Sequence, residues 1–210
     1  MSHDVAYPVF CSPDLALALS TARRLMEFGR CDHSEVSVYA EFRSVAEVWR
    51  VAKEIPEGWF QGQAKCEERG GVLREGLPGL VVGVQGPGLP TDPAAYEGRM
   101  PVEWGLSELP VGSIEDAFTA VIGSNVGWIN WETLCWPESP EAGFHGESKH
   151  AEVTLLFNTH TRKLDVLAED YTVLVHVRSA VFGGVHTREP YAHWLAEEVG
   201  LTVVGPGQRL

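Results

Sequence analysis

The stretch FHGESKHAEVTLLF, residues 144–157, brings His145, Glu147 and His150 into six residues, and no other part of the chain suggests chemistry so directly. Histidines with a nearby glutamate are the donors of a zinc hydrolase, in which imidazoles hold the ion and the carboxylate serves as general base. The spacing departs from the known arrangements. A zincin H-E-x-x-H motif sets its histidines four apart on one helical face. Here they are five apart, about 140° around a helix of 3.6 residues per turn, and Gly146 disfavours a helix. A zinc deaminase follows H-x-E with P-C-x-x-C, yet no cysteine follows His145. A looser site would join His145 and His150 to a distant ligand, His160 or His176. The simpler reading leaves His145 and Glu147 in a solvated loop. His150, Glu152 and Thr154 then form the polar face of a strand whose other face is Ala151, Val153, Leu155 and Phe157.

Other chemistries have less support. The chain has no G-x-S-x-G elbow and no phosphate loop, since the glycines of VVGVQGPGLP fit neither a dinucleotide nor a Walker pattern. Cys11, ahead of a helix start, is the one thiol whose position suggests a depressed pKa; a buried structural cysteine is the simpler expectation. Cys11, Cys31, Cys66 and Cys135 contain no C-x-x-C pair, so reduced thiols and no cofactor are expected. Among 29 acids no carboxylate pair stands out for glycosidase-type work.

Charge and aromatics give a stronger signal. The net charge is −13, and residues 92–147 hold ten acids against one base, Arg99. A field of that sign repels nucleic acid and attracts a basic protein. The same segment holds Trp104, Trp128, Trp131 and Trp136, four of the seven tryptophans. Aromatic anchors among carboxylates suit a surface that binds lysine and arginine. The expected partner-binding residues are Glu103, Trp104, Glu108, Trp128, Trp131, Glu132, Trp136, Glu138 and Glu141. No metal is expected, with His145, His150 and His176 as the alternative ligands of a metal-dependent hydrolase or small-molecule site.

These residues need elements to position them. Ser12, Pro13 and Asp14 open a helix that runs to Gly29, with apolar residues at Leu15, Ala18, Leu19, Ala22, Leu25 and Met26. EVSVYAEF alternates Val36, Val38 and Ala40 against Ser37, Tyr39 and Glu41, the period of a half-buried strand. Ser44 and Glu47 form a capping box for a second helix ended by Pro56. Residues 56–100 are rich in Gly and Pro and read as loops around GLVVGVQG, a possible subdivision of the chain. PVEWGLSEL reads as a strand, Ser113 with Asp116 caps a short helix, and VGWINWETL is a further strand. Residues 134–149 read as loop. AEVTLLFN, KLDVLA and YTVLVHV form an antiparallel meander, Pro190 opens a last helix, and LTVV is an edge strand. The expectation is one α+β domain over 1–210, with about four helices and a mixed or mainly antiparallel sheet.

No apolar run reaches the roughly 18 residues of a membrane span, and the N-terminus lacks a basic region before an apolar run, so a cytoplasmic protein is expected. In composition and architecture the chain resembles bacterial immunity proteins, small acidic α+β proteins that block a cognate toxin. The resemblance implies a non-catalytic inhibitor of a basic partner and carries over no residue role. Self-association through the acidic segment is disfavoured because like charges would meet across a two-fold axis.

Overall fold

The computed structural model describes residues 3–62, 84–148, 150–179 and 188–209; Cys66 and most of the glycine-rich 76–90 stretch lie outside them. Among these described residues nine strands form one sheet. They are β1 (His3–Ser12), β2 (Glu35–Phe42), β3 (Trp59–Gly62), β4 (Val84–Gln85), β5 (Val102–Pro110), β6 (Val126–Glu132), β9 (Glu152–Thr159), β10 (Leu167–Ser179) and β11 (Gln208–Arg209). Their order is β11-β1-β10-β9-β6-β2-β5-β3-β4, and every pairing is antiparallel. A separate hairpin joins β7 (Trp136–Ser139) to β8 (Phe144–Glu147). Four helices among the described residues complete the α+β fold: α1 (Leu15–Gly29), α2 (Val45–Glu54), α3 (Glu115–Ile122) and α4 (Arg188–Glu198).

One face of the sheet is the core. Val36 and Val38 of β2, Ile129 and Trp131 of β6, Val153, Leu155 and Phe157 of β9, and Val173, Val175 and Val177 of β10 are buried together. From the helices, Ala18, Ala22 and Leu25 of α1, Val48 and Val51 of α2, Phe118 and Ile122 of α3, and Leu195 of α4 join them. Period-2 alternation in the strands and period-3.6 spacing in the helices supply complementary apolar faces. Burying such side chains stabilises the fold by about 1.5–3 kcal/mol each.

Several boundaries differ from the sequence reading. β1 runs through Ser12, so Asp14 rather than Ser12 caps α1, accepting the Leu17 amide at 3.1 Å. Gly29 is the last residue of α1 rather than the stop beyond it, and glycine is needed there because a Cβ would lie 2.6 Å from the Trp136 ring. Ser44 caps α2 as expected, its Oγ accepting the Glu47 amide at 3.3 Å, while the Glu47 carboxylate accepts the Ser44 hydroxyl at 2.8 Å. In α3 the cap is not Ser113 with Asp116. Glu115 accepts the amides of Gly112 and Ile114 at 2.9 and 3.2 Å, and Asp116 instead pairs with Arg23 at 2.7 Å.

Residues 134–149 are not wholly loop, because the turn at residues 140–143, with Gly143 at φ +76°, closes the β7–β8 hairpin. KLDVLA and YTVLVHV are not two strands. Residues 163–166 lie in the connection between β9 and β10, and β10 continues past a register shift between Leu167 and Tyr171. LTVV is not a strand, although Val204 donates to the Pro8 carbonyl at 2.7 Å; pairing with β1 falls to β11. Among the described residues no helix is long and apolar enough to cross a membrane.

Candidate functional site

The second face of the sheet carries the side chains that alternate with the core. Cross-strand register places Glu35 opposite Glu132, Tyr39 opposite Trp128, and Glu41 opposite Glu103. Trp59 lies opposite Gly105, whose other neighbour is Tyr39. A Cβ on Gly105 would fall 2.7 Å from the Trp59 ring, so glycine here lets the indole lie against the sheet. The result is an aromatic row. Trp59 and Tyr39 have centroids 6.2 Å apart, Tyr39 stacks on Trp128 at 5.5 Å and 14°, and the Arg162 guanidinium stands 5.0 Å above the Trp128 ring. All four are half-buried.

Carboxylates border this row. Like charges directly opposite on neighbouring strands destabilise a sheet, yet Glu41 faces Glu103 and Glu35 faces Glu132. Among the described residues none of these four forms an ion pair. Burial, then the charge of Glu103, raises the Glu41 carboxyl above its usual range, while Arg43 pulls the other way. Burial and the charges of Glu103 and Glu41 push the Tyr39 phenol upward. The row is therefore held in a negative field.

Beside the row, a polar network crosses β6, β9 and β10. Asn130 Nδ2 donates to Glu132 at 3.0 Å and to Glu152 at 2.8 Å, and Arg162 donates to Glu152 at 3.0 Å. Thr154 Oγ1 donates to Asn130 Oδ1 at 2.5 Å and lies 2.7 Å from His176 Nε2. A hydroxyl has one proton, so Nε2–H donates to Thr154 and the imidazole is the Nε2–H tautomer. His176 Nδ1 makes no hydrogen bond, and the nearest Glu152 oxygen is 3.5 Å away. Burial holds the His176 imidazole down to about 3 against the attraction of Glu152. Burial alone would raise Glu152; the Arg162 charge and the hydrogen bonds from Asn130 and Arg162 outweigh it and hold the carboxyl low.

Thr154, His176 and Glu152 have the residue types of a nucleophile–base–acid triad, but they do not act as one. Thr154 and His176 are fully buried, and the threonine proton is committed to Asn130. No substrate carbonyl can reach that hydroxyl, and a group tying three strands together is the reading the geometry supports.

The expected partner-binding residues separate into groups. Trp104 and Trp131 are 0% exposed and Trp136 2%, so these three are core residues and offer no surface. Trp131 donates its indole N–H to Glu115 at 3.0 Å, and Trp136 donates to the His176 carbonyl at 2.8 Å. Glu103, Trp128 and Glu132 share the second sheet face. Glu108 is exposed beside it, donating its amide to Ser37 Oγ at 3.3 Å. Glu138 and Glu141 are exposed on the β7–β8 hairpin, whose Trp136 and Phe144 pack against α1 and α4. The sequence reading missed Tyr39, Glu41 and Trp59. Alternation in EVSVYAEF already put Tyr39 and Glu41 on the polar face, but strand register was needed to set them beside Trp128 and Glu103.

The alternative metal ligands are not gathered. His145 is exposed opposite Glu138 on the hairpin, His150 follows it, and His176 is bonded inside the sheet. Among the described residues, one group of three His, Cys or carboxylate side chains brings its ligand atoms within 4.8 Å of one another: Cys11, His160 and Asp170. Cys11 is neither a buried structural cysteine nor a helix-start thiol with a lowered pKa; it is exposed near the end of β1, and partial desolvation and Asp170 raise it. Cys31 and Cys135 are free thiols, and a hydrogen bond from Cys135 lowers the Cys31 thiol.

No family model, curated protein or solved structure matched the chain.

Proposed function

We propose that the protein is a non-catalytic binding protein whose second sheet face captures a basic segment of a protein partner. By its acidity and its α+β architecture we infer a cytoplasmic neutralising role like that of an immunity protein toward a toxin. One observation carries the reading: the aromatic row Trp59–Tyr39–Trp128 lies beside Glu41 and Glu103, two carboxylates directly opposite one another. That pairing costs stability in the free protein, and a bound cation relieves it.

Arg162 provides an internal precedent. Its guanidinium rests on Trp128 and donates to Glu152, the combination of ring face and carboxylate that would receive an arginine of the partner next to Tyr39 and Trp59. Steering by the surrounding acids speeds encounter, and the speed falls as salt screens the field.

An arginine-rich peptide tests this reading. Titrated into the protein, it should quench tryptophan fluorescence, bind more weakly as salt rises, and lose affinity in Glu41→Gln/Glu103→Gln. Equal binding by wild type and the double variant at low salt would refute the assignment of the face. Partner capture at low and high salt with the same two proteins then identifies the natural ligand.

A further inference from the structure

We propose that Cys11, His160 and Asp170 form a transition-metal site that takes zinc in tetrahedral geometry with one position open to an outside ligand. The three residues come from distant parts of the chain. Cys11 lies near the end of β1 opposite Thr172 of β10, Asp170 occupies the irregular stretch of β10, and His160 follows β9. The site is at the β1–β10 side of the sheet, with β9 between it and the aromatic row on β6.

One ligand atom from each residue lies within 4.8 Å of the other two, and the two carboxylate oxygens of Asp170 face one ligand each. Cys11 Sγ is 3.1 Å from Asp170 Oδ2, and His160 Nδ1 is 3.6 Å from Asp170 Oδ1. Tetrahedral zinc, with bonds of about 2.3 Å to sulfur and about 2.0–2.1 Å to nitrogen and oxygen, sets its ligands roughly 3.3–3.5 Å apart. Asp170 Oδ1 is buried without a hydrogen bond, an acceptor aimed at His160 and left unsatisfied by the protein itself. Cys11 is exposed and His160 is 45% exposed, so an ion can enter.

The donor set selects the metal class. Thiolate and imidazole suit zinc and its neighbours in the first transition row, whereas calcium and magnesium require oxygen ligands. Binding converts the Cys11 S–H to a metal–thiolate bond and releases its proton to solvent. The Asp170 carboxylate then helps neutralise the cation. Thr172 Oγ1, 3.1 Å from His160 Nδ1 and 3.8 Å from Cys11 Sγ, gives up its histidine contact to the ion. No fourth His, Cys or carboxylate among the described residues completes the group, which leaves a position for water or a ligand from another molecule.

Cobalt(II) added to the full-length protein tests the site. We expect one equivalent to give a sulfur-to-cobalt charge-transfer band and the strong d–d bands of tetrahedral cobalt, both abolished by added zinc. Cys11→Ser should remove the charge-transfer band. Asp170→Asn, which leaves every thiol in place, should weaken zinc binding at least ~10-fold, the low end of the loss from an outer-shell change alone. Cys31→Ser/Cys135→Ser should keep the full spectrum. A charge-transfer band that survives Cys11→Ser, a band lost in Cys31→Ser/Cys135→Ser, unchanged zinc affinity in Asp170→Asn, or no band at all in the wild type would each overturn the proposal.

Discussion

His176 should make the protein lose stability between neutral pH and pH 5. The imidazole is fully buried and its pKa is lowered from 6.5 to about 3, so it is neutral in the fold but takes up a proton in the unfolded chain over that range. Where the unfolded state binds the extra proton, stability rises with pH, at about 1.4 kcal/mol per unit for one group. The stabilising contribution is therefore complete above the unfolded value and is lost as pH falls toward the folded one. At pH 5 the loss is about 2 kcal/mol, on the linkage relation. Glu152, whose carboxyl is held low, acts in the same direction but only below its own unfolded value, so its window lies under that of the histidine.

The assay is denaturant unfolding followed by tryptophan fluorescence at pH 7.5 and pH 5, for wild type and His176→Gln. Glutamine keeps an amide for Thr154 and removes the titration, so the difference between the two pH values should shrink by about 2 kcal/mol in the variant. Equal pH dependence in both proteins would refute a neutral buried His176. It would favour an imidazolium that donates to Thr154 and Glu152 together.

Glu103→Gln removes one member of a like-charge cross-strand pair, so the unfolding free energy from denaturant titration should rise by about 0.2–1 kcal/mol while binding of the arginine-rich peptide weakens. Glu115→Ala strands the Trp131 indole N–H and the amides of Gly112 and Ile114, and thermal unfolding should show a loss of roughly 3 kcal/mol. Gly58→Ala would place a Cβ 1.9 Å from Trp104 Nε1, so equilibrium unfolding should reveal a cost of about 1–3 kcal/mol from overpacking. Among the described residues, Arg162→Ala leaves Glu152 with its Asn130 hydrogen bond alone. The variant should lose about 1–3 kcal/mol at pH 7, and the loss should shrink at acid pH as the carboxylate protonates.

Several local elements were legible along the chain, because their causes are local. Alternation in EVSVYAEF, VGWINWET and AEVTLLFN produced strands, and the Ser44–Glu47 box opened a helix where it was expected. Overall acidity was equally legible. It was the sequence reading's regional form, acids and tryptophans in residues 92–147, that folding dispersed. Trp104, Trp131 and Trp136 entered the core because a large aromatic removes most surface from water when it faces the helices. Glu35 and Glu41, from an earlier strand, joined Glu103 and Glu132 because antiparallel register sets distant residues opposite one another. Cys11, His160 and Asp170 met for the same reason, across β1 and the β9–β10 turn. Periodicity is a property of a few successive residues and can be read along the chain, whereas register depends on the pairing of strands far apart in it, which only the tertiary structure decides.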